Sequence, residues 1–271
     1  MSARNTLESG GIENAGFEAE QLLRGVGVDK ITLLSEPNAE VSADISAAIR
    51  AHTERRLAGE PLQYILGEWE FYGLPFKVGE GVLIPRQDTE TPVDVCLKFL
   101  KDRERDDRKT LDLCAGSGCI GITLAKLADA DVTCVELSER AFGYLRENIA
   151  LNGVRVNAVL GDALNEETVQ GEFSLIVSNP PYLTDGDIKV LQKEVMFEPK
   201  TALYGGADGL DFYRQILGVY PKRLKSGGMI AVEIGMGQES AVGELFRENG
   251  IEPRFEKDMR GIYRAVYGTK L

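Results

Sequence analysis

The amino-acid sequence predicts an α/β fold, in which helices cover a mostly parallel β-sheet, preceded by a small helical domain. After Thr110, short apolar runs alternate with helical segments, the pattern of strands that are connected through helices. The first 60 or so residues instead show helical periodicity, and a stretch of alternating aromatic and charged residues separates the two regions. We therefore predict a helical domain over residues 1–62, a β-hairpin linker over 63–84 and an α/β domain over 85–271.

The helical region contains two segments whose apolar residues recur at helical spacing. Leu22 and Val26 lie on one face of the first, and the glycines beside Val26 predict its end. The second is predicted to begin after Ser42 as N-cap and to end near Pro61. Its inner face includes His52, the only histidine, which is expected to be a half-buried packing residue. A single histidine argues against a His-based triad or a multi-histidine metal site.

The α/β region is predicted to contain five apolar strands followed by a C-terminal pair. The runs are TLDLC, DVTCVEL, VNAVL, FSLIVS and MIAVEI, and the pair lies within residues 253–268. Helices are predicted near 118–128, 138–150, 208–220 and 237–249. Gly73 interrupts the alternating stretch before this region, which predicts the turn of the hairpin. Parallel sheets bind ligands at the carboxyl ends of their strands, so the polar residues there are the functional candidates.

Composition and charge narrow the class of protein. The 271 residues are 43% hydrophobic and 27% charged, as in soluble globular proteins, and the net charge is −12. A negative protein repels phosphate backbones, so direct nucleic-acid binding is not expected. There is no run of ~18 apolar residues and no apolar signal region at the N-terminus, so we expect a cytoplasmic protein without a membrane partner. The four cysteines form no CxxC pair and are expected to be reduced packing residues, with metal ligation as the minor alternative.

The first strand of the α/β region leads through LDLCAGSG into a helix. Gly116 and Gly118 permit a tight turn and a close approach of the backbone to a ligand, and the helix N-terminus offers free N–H donors. Eighteen residues beyond Gly118, the next strand ends in Glu136, whose carboxylate could accept hydrogen bonds from both hydroxyls of a ribose. Asp162, at the end of the third strand, could meet an adenine amino group. These positions predict a nucleoside-binding site.

Alternatives stay open for the same residues. A tight turn without a ligand would use the same glycines, Glu136 could be an exposed helix-capping residue, and Asp162 could be a turn aspartate after Gly161. Gly121 completes the spacing of the G-x-G-x-x-G dinucleotide motif, so spacing alone does not exclude NAD. Asp112 inside the first strand and the motif that ends the fourth strand argue against a dinucleotide.

The fourth strand ends in Asn179-Pro180-Pro181-Tyr182. The prolines fix the backbone and bias the residue before them toward an extended conformation. Because neither proline has an N–H, the corner presents acceptors: the Asn179 side-chain oxygen and the Pro180 carbonyl oxygen could receive both hydrogens of one planar NH₂ group. Tyr182 could stack on that group. The corner thus selects a carboxamide or an exocyclic base amine; the alternative without a function is a proline-rich turn with a capping Asn.

Two other segments have open roles. Pro85 and Arg86 could cover a bound ligand as a lid or fix the packing between domains, and Arg86 could pair with Asp88 or Glu90. The stretch around Glu198 could order the loop that follows Tyr182 or form a surface turn.

The motifs resemble, in their order, those of the release-factor glutamine methyltransferases (the HemK or PrmC family), which belong to the class I S-adenosylmethionine-dependent methyltransferases. The resemblance runs from about Ala19 to the C-terminus and includes YILGEWEFYGLPFKV, GVLIPRQDTE, LDLCAGSGCI, IVSNPPY, FEPKTALYGGADGLDFYR and EIGMGQ. It implies a seven-stranded Rossmann-like methyltransferase domain and a helical N-terminal domain that helps to hold a release factor. The implied reaction transfers a methyl group from S-adenosylmethionine to the side-chain amide nitrogen of the glutamine in the Gly-Gly-Gln loop of peptide chain release factors.

The resemblance also implies roles for individual residues. Cofactor binding is carried over to Ala115, Gly116, Ser117, Gly118, Glu136, Asp162, Ala163 and Asn179. Acceptor binding is carried over to Asn179, Pro180, Pro181 and Tyr182, of which Asn179, Pro180 and Tyr182 are the catalytic candidates. The sequence departs from the family at Cys114-Ala115, where Gly-Thr is usual, at Gln87-Asp88, where Pro-Glu is usual, and at Ala163, where some members carry an aromatic residue. Because NPPY also occurs in adenine and guanine amino-methyltransferases, methylation of a nucleic-acid base is the alternative function.

Overall fold

The structure is a computed structural model that describes residues 2–28, 30–35 and 41–271. The chain divides into two compact units, Met1–Glu68 with Gln192–Phe197, and Trp69–Leu191 with Glu198–Leu271. The division falls inside the stretch predicted as the hairpin linker, and the domain boundaries drawn at residues 62 and 84 stay predictions. No helix in the described ranges is long and apolar enough to span a bilayer.

The first unit is helical. Its helices are α1 (Ala3–Ser9), α2 (Ala15–Gly25), α3 (Lys30–Ser35), α4 (Ala43–Leu57) and α5 (Leu62–Leu66). The Ser42 hydroxyl accepts a hydrogen bond from the Ile45 N–H at the start of α4, which confirms the predicted N-cap. The buried guanidinium of Arg56 on α4 pairs with Glu18 of α2 (2.6 Å) and with Glu194 (3.0 Å), and so ties the stretch Gln192–Phe197 to this unit.

The histidine and the cysteines lie where packing residues are expected. His52 is half-buried on α4, and burial is the main reason that its pKa is lowered. All four cysteines are free thiols; Cys96, Cys119 and Cys134 are buried and Cys114 is half-buried. The prediction of reduced packing cysteines is therefore confirmed.

The predicted hairpin is present as β1 (Glu68–Phe71) and β2 (Leu74–Lys77). Tyr72 and Gly73 join the strands, and both have positive φ angles, 55° and 73°. Two successive residues in this conformation form the tight hairpin turn that matches strand twist, and glycine adopts it without strain.

The remaining strands agree with the prediction from the apolar runs, and helices lie at the four predicted ranges; the helices Glu90–Lys101 and Asp185–Ile188 lie outside those ranges. The strands are β3 (Lys109–Leu113), β4 (Asp131–Glu136), β5 (Val156–Leu160), β6 (Phe173–Ser178), β7 (Leu224–Glu233), β8 (Arg254–Lys257) and β9 (Tyr263–Thr269). The helices are α6 (Glu90–Lys101), α7 (Cys119–Ala128), α8 (Glu139–Asn152), α9 (Asp185–Ile188), α10 (Asp211–Val219) and α11 (Glu239–Glu248).

In the described part of the chain, seven of these strands form one sheet in the order β5-β4-β3-β6-β7-β9-β8. Neighbours from β5 to β7 are parallel, and β9 is antiparallel to both β7 and β8. The predicted mostly parallel sheet is confirmed. The strand order reverses between β3 and β6, and the crevice beside such a switch point is the usual ligand site of an open α/β sheet.

Strand β6 shows why its run is apolar throughout. Leu175 and Val177 belong to a core that includes residues of α6, α7 and α8, whereas Ile176 belongs to a second core with α10 and α11. Successive side chains of a strand point to opposite faces, so both faces of β6 are covered. The first polar position beyond this buried strand is Asn179.

Candidate functional site

A cavity of about 290 Å³ lies within the second unit, beside the carboxyl ends of β3, β4, β5 and β6. This volume is near the lower end of the roughly 300–1,000 Å³ of ligand pockets. Its wall includes these predicted site residues: Ala115, Gly116, Ser117, Glu136, Asp162, Ala163, Asn179 and Pro181. Three predicted residues among those described, Gly118, Pro180 and Tyr182, lie off the wall. The topology therefore brings most of the predicted cofactor and acceptor residues to one cavity.

The glycine turn after β3 has two different requirements for glycine. Gly116 and Gly118 have φ angles of 56° and 82°, in the left-handed region. A Cβ at Gly118 would lie 2.9 Å from Cδ1 of Ile122 and would also meet Leu145, so close packing adds to the positive φ angle in favouring glycine there. A Cβ at Gly116 would meet nothing within 4 Å, so the backbone there borders open space. Gly116 is thus the point at which a ligand can approach the turn.

Asp112 explains the third glycine of the motif. Its buried carboxyl accepts a 2.9 Å hydrogen bond from the N–H of Gly121, in the first turn of α7. The N-cap of α7 is Gly118, which has no side chain, so Asp112 caps the helix from the adjacent strand. A Cβ at Gly121 would lie 2.9 Å from Oδ2 of Asp112, which leaves room only for glycine. Burial raises the pKa of Asp112 to about 7.

Glu136 ends β4 and is buried, with 9% of its surface exposed. Its two oxygens accept 2.7 Å hydrogen bonds from the N–H groups of Gly116 and Ser138. Glu136 is therefore not an exposed capping residue; it holds both the glycine turn and the start of α8. Burial raises its pKa, and these backbone hydrogen bonds act in the opposite direction. A carboxylate offers about four acceptor positions, so Glu136 keeps capacity for further donors from the cavity.

Asp162 and Ala163 form the edge of the cavity after β5. Asp162 is exposed, and its Oδ1 accepts a 2.8 Å hydrogen bond from the N–H of Leu164, so the turn role considered for it is present. The Ala163 carbonyl oxygen accepts a 2.7 Å hydrogen bond from the buried Tyr220 hydroxyl. Both residues are thus held in place at the wall.

The NPPY corner follows β6 directly. The Asn179 Nδ2 donates a 3.2 Å hydrogen bond to the Thr89 hydroxyl oxygen, so the Asn179 Oδ1 is the atom presented to an incoming donor. The Tyr182 hydroxyl donates to Oε1 of Glu233 at 3.4 Å. The Tyr182 carbonyl oxygen accepts a 3.1 Å hydrogen bond from Nε2 of Gln238. Side chain and backbone of the corner are both held from neighbouring segments.

The glycine-rich segment that contains Gly205 packs against the NPPY corner. Leu183 exchanges backbone hydrogen bonds with Leu203 (2.8 Å) and Gly205 (2.9 Å). A Cβ at Gly205 would lie 2.6 Å from the Pro181 carbonyl oxygen and 2.7 Å from Cα of Tyr182. Because these are backbone atoms that cannot turn away, only glycine allows the two segments to approach this closely.

Arg86 pairs with Glu198, not with either of the neighbouring acids considered from the sequence. Glu198 is buried and also accepts a 3.2 Å hydrogen bond from the Ile84 N–H, so the surface-turn alternative is wrong. Asp88 instead pairs with Arg264 at 2.7 Å. Arg86 lies on the cavity wall, which makes the Glu198 pair part of the structure around the site.

Sequence reasoning missed Thr89 and Glu233. Glu233 had one usable signal, an acid that ends an otherwise apolar strand, as Glu136 does. Thr89 had none, since its contact with Asn179 joins residues 90 positions apart.

Comparisons with known proteins agree with this architecture. The family descriptions that match are "PrmC N-terminal domain" over residues 1–67 and "Methyltransferase small domain" over residues 88–207. A release factor glutamine methyltransferase of Geobacter sulfurreducens is 42% identical, over 98% of this chain and 93% of the relative. One of Thermodesulfovibrio yellowstonii is 41% identical, over 92% and 90%.

A crystal structure of a methyltransferase from Pyrococcus furiosus is similar in fold. It has a TM-score of 0.56 and 21% identity, and the alignment covers 84% of this chain and 99% of that chain. The sequence identity over nearly the whole length of the two relatives, together with the two matching descriptions, shows the family. The chain belongs to the release factor glutamine methyltransferases.

Proposed function

We propose that this protein transfers a methyl group from S-adenosylmethionine to the side-chain amide nitrogen of the glutamine in the Gly-Gly-Gln loop of peptide chain release factors. The names of its relatives support this acceptor. The observation that carries the proposal is Asn179 on the cavity wall, with its nitrogen bound to Thr89 and its oxygen left for a donor. In this proposal, residues 1–62 help to hold the release factor, 63–84 link the domains and 85–271 carry the transfer.

The residues of the cavity fit S-adenosylmethionine. The open backbone at Gly116 admits the cofactor beside the turn, the spare acceptor capacity of Glu136 suits the ribose hydroxyls, and Asp162 and Ala163 would border the adenine. Much of the remaining wall is apolar, with side chains such as Ile120, and suits a flat base. S-adenosylmethionine, when bound, supplies an electrophilic methyl group attached to a sulfonium sulfur.

The corner would orient the acceptor nitrogen. The Asn179 Oδ1 and the Pro180 carbonyl oxygen would accept the two N–H bonds of the glutamine amide, which directs the nitrogen toward the cavity. The same two oxygens would stabilise the positive charge that develops on this nitrogen. Tyr182 would contact the planar amide. The nitrogen becomes strongly acidic as it gains the methyl group, so the chain needs no dedicated base.

The test is transfer of labelled methyl from S-adenosylmethionine to a purified bacterial release factor and to the same factor with its loop glutamine changed to Ala. Label on the first and none on the second is the expected result. Asn179→Ala should abolish transfer while cofactor binding measured by calorimetry survives. Asn157→Ala, at an exposed asparagine of β5, serves as the matched control and should transfer normally. Label on ribosomal RNA in place of the release factor would favour amino-methylation of a nucleic-acid base.

A further inference from the structure

Glu233 is a buried carboxyl residue that the proposed transfer does not use. It is the last residue of β7, and 1% of its surface is exposed. The register pairs Val232 of β7 with Ser178 of β6, so the next residues, Glu233 and Asn179, lie side by side where the two strands end. The side chain of Glu233 therefore lies next to the NPPY corner, at the carboxyl ends of β6 and β7.

The carboxyl of Glu233 holds one side chain of the NPPY corner by a hydrogen bond and lies near the partner of another. The Tyr182 hydroxyl donates to Oε1 at 3.4 Å. Thr89 acts on the same carboxyl electrostatically, since its side chain lowers the pKa of Glu233. The Thr89 hydroxyl oxygen accepts from Nδ2 of Asn179 at 3.2 Å. Glu233 therefore holds Tyr182 directly, and Thr89 lies between the carboxyl and Asn179.

The second oxygen of Glu233 indicates that the carboxyl is not there for packing. Oε2 is buried and has no hydrogen-bond partner among the residues that the structure describes. Leaving a buried carboxyl oxygen unpaired costs free energy, and an apolar side chain of similar size would fill the same space without that cost. An apolar side chain could not supply the hydrogen-bond acceptor that Oε1 provides for the Tyr182 hydroxyl.

The groups that face Glu233 act on it in both directions. Burial and the charge of Asp88 raise its pKa, to about 7, while Thr89, Arg264 and Tyr182 lower it. A proton taken up near neutral pH can reside on the unpaired Oε2. Oε1 then stays an acceptor for Tyr182 in both protonation states.

We propose that Glu233 is a positioning residue for methyl transfer: its Oε1 accepts from the Tyr182 hydroxyl, and its position beside Asn179 at the strand ends lets the carboxyl hold the NPPY corner in one arrangement. This inference rests on the proposed function, because the corner is taken to receive the glutamine amide. Glu233 does not line the cavity, so it would touch neither the glutamine nor the cofactor. Its loss should therefore lower turnover without weakening the binding of S-adenosylmethionine.

The test compares Glu233→Gln, which keeps an oxygen acceptor, with Glu233→Leu, which fills the space without one. Glu256→Leu is the matched control, because Glu256 is exposed on β8 and both glutamates pair with Ala265 of β9 across the sheet. For each variant, kcat and KM for the release factor, the cofactor dissociation constant and the thermal unfolding midpoint are measured. Misplacement by about 1 Å can cost a hundredfold in rate, so we expect Glu233→Leu to lower kcat at least about tenfold.

In Glu233→Gln, kcat should stay within about threefold of the wild type, since its amide oxygen replaces Oε1. The unfolding midpoint of Glu233→Leu should stay close to that of the wild type, because removing a buried carboxyl offsets the cost of leaving the Tyr182 hydroxyl without its acceptor. Wild-type kcat in Glu233→Leu would overturn the inference. So would an equal loss of kcat in both variants accompanied by lower unfolding midpoints, which is the result of a purely structural role.

The proposed function can fail separately. If the wild-type protein binds S-adenosylmethionine but labels no release factor, the proposed function is wrong, and crystal structures of the two variants then decide the inference. A displaced Tyr182 ring and Asn179 side chain in Glu233→Leu, with both retained in Glu233→Gln, would support positioning by the carboxyl. Unmoved side chains in Glu233→Leu would overturn it.

Discussion

The side-chain nitrogen of Asn179 donates a 3.2 Å hydrogen bond to the hydroxyl oxygen of Thr89, a residue that precedes α6. Because this bond occupies the nitrogen of the Asn179 amide, Oδ1 is the atom that is offered to the substrate that receives the methyl group. Thr89 is buried, with 1% of its surface exposed, so water cannot easily replace its hydroxyl. The orientation of the proposed catalytic residue thus depends on one buried hydroxyl.

Thr89→Val should lower kcat about tenfold or more, because valine has the same shape but cannot accept from Asn179, which then loses its fixed orientation. Cofactor affinity should change little, since the ribose and the adenine are assigned to Glu136, Asp162 and Ala163. Steady-state kinetics with a release factor and calorimetry with S-adenosylmethionine measure the two effects. Thr133→Val is the control, because it removes the hydroxyl of a half-buried threonine on β4 and should leave kcat unchanged. Equal kcat in Thr89→Val and wild type would contradict the role of this bond.

Glu136→Ala should weaken S-adenosylmethionine binding by about ten- to a hundredfold. The variant loses the acceptor proposed for the ribose, and a hydrogen bond to a charged group is worth roughly 1.5–3 kcal/mol. It also releases the N–H groups of Gly116 and Ser138, which loosens the turn. Titration calorimetry measures the dissociation constant. Glu147→Ala, at an exposed position on α8, is the control for the lost charge; unchanged affinity in Glu136→Ala would remove the ribose assignment.

The free energy of unfolding of the wild-type protein should fall as pH rises, and Asp112→Asn should make this fall smaller. Burial raises the pKa of Asp112 from its ordinary 3.8 to about 7. Between these values the folded protein retains a proton that the unfolded chain has released, so the free energy of unfolding decreases as pH rises through this window. Asparagine cannot titrate, yet its oxygen can still accept from the Gly121 N–H. Asp112→Asn should therefore gain stability relative to the wild type from pH 4 to pH 8.

Thermal unfolding at several pH values measures this difference. Each kcal/mol moves the midpoint by about 2–4 °C in a domain of this size. Glu233, whose pKa is also raised to about 7, is present in both proteins, so the difference between them isolates Asp112. Parallel curves of midpoint against pH for the two proteins would contradict the raised pKa.

Gly205→Ala should abolish transfer and destabilise the fold. The new Cβ would lie 2.6 Å from the Pro181 carbonyl oxygen and 2.7 Å from Cα of Tyr182, so the backbone of the corner would have to move. Overpacking of this kind costs about 1–3 kcal/mol. Methyl transfer and thermal unfolding measure the two effects. Gly143→Ala is the matched control: a Cβ there meets nothing within 4 Å on α8, so that variant should be active and slightly more stable. Normal transfer by Gly205→Ala would show that the corner tolerates the displacement.

Local patterns in the sequence predicted the fold and the part of the site that lies at the ends of strands. Alternating strands and helices predicted the sheet, and the buried run of β6 followed by Asn179 predicted the corner. The glycine turn and Glu136 were predicted for the same reason: each lies where a strand ends, and the carboxyl ends of parallel strands meet at one edge. Hydrophobic periodicity and turn chemistry are written over a few neighbouring residues, and a sequence alone can show them.

Only the tertiary structure decided which side chains hold these groups in place. Asn179 meets Thr89 across 90 positions, Tyr182 meets Glu233 across 51, and the Arg86–Glu198 pair spans 112. No periodicity links such residues, because their proximity arises from strand order and loop packing. The sequence by itself determined where polar groups leave the sheet; the folded chain determined which buried hydroxyl and carboxyl orient them, since hydrogen bonds depend on distance in space and not on separation along the chain.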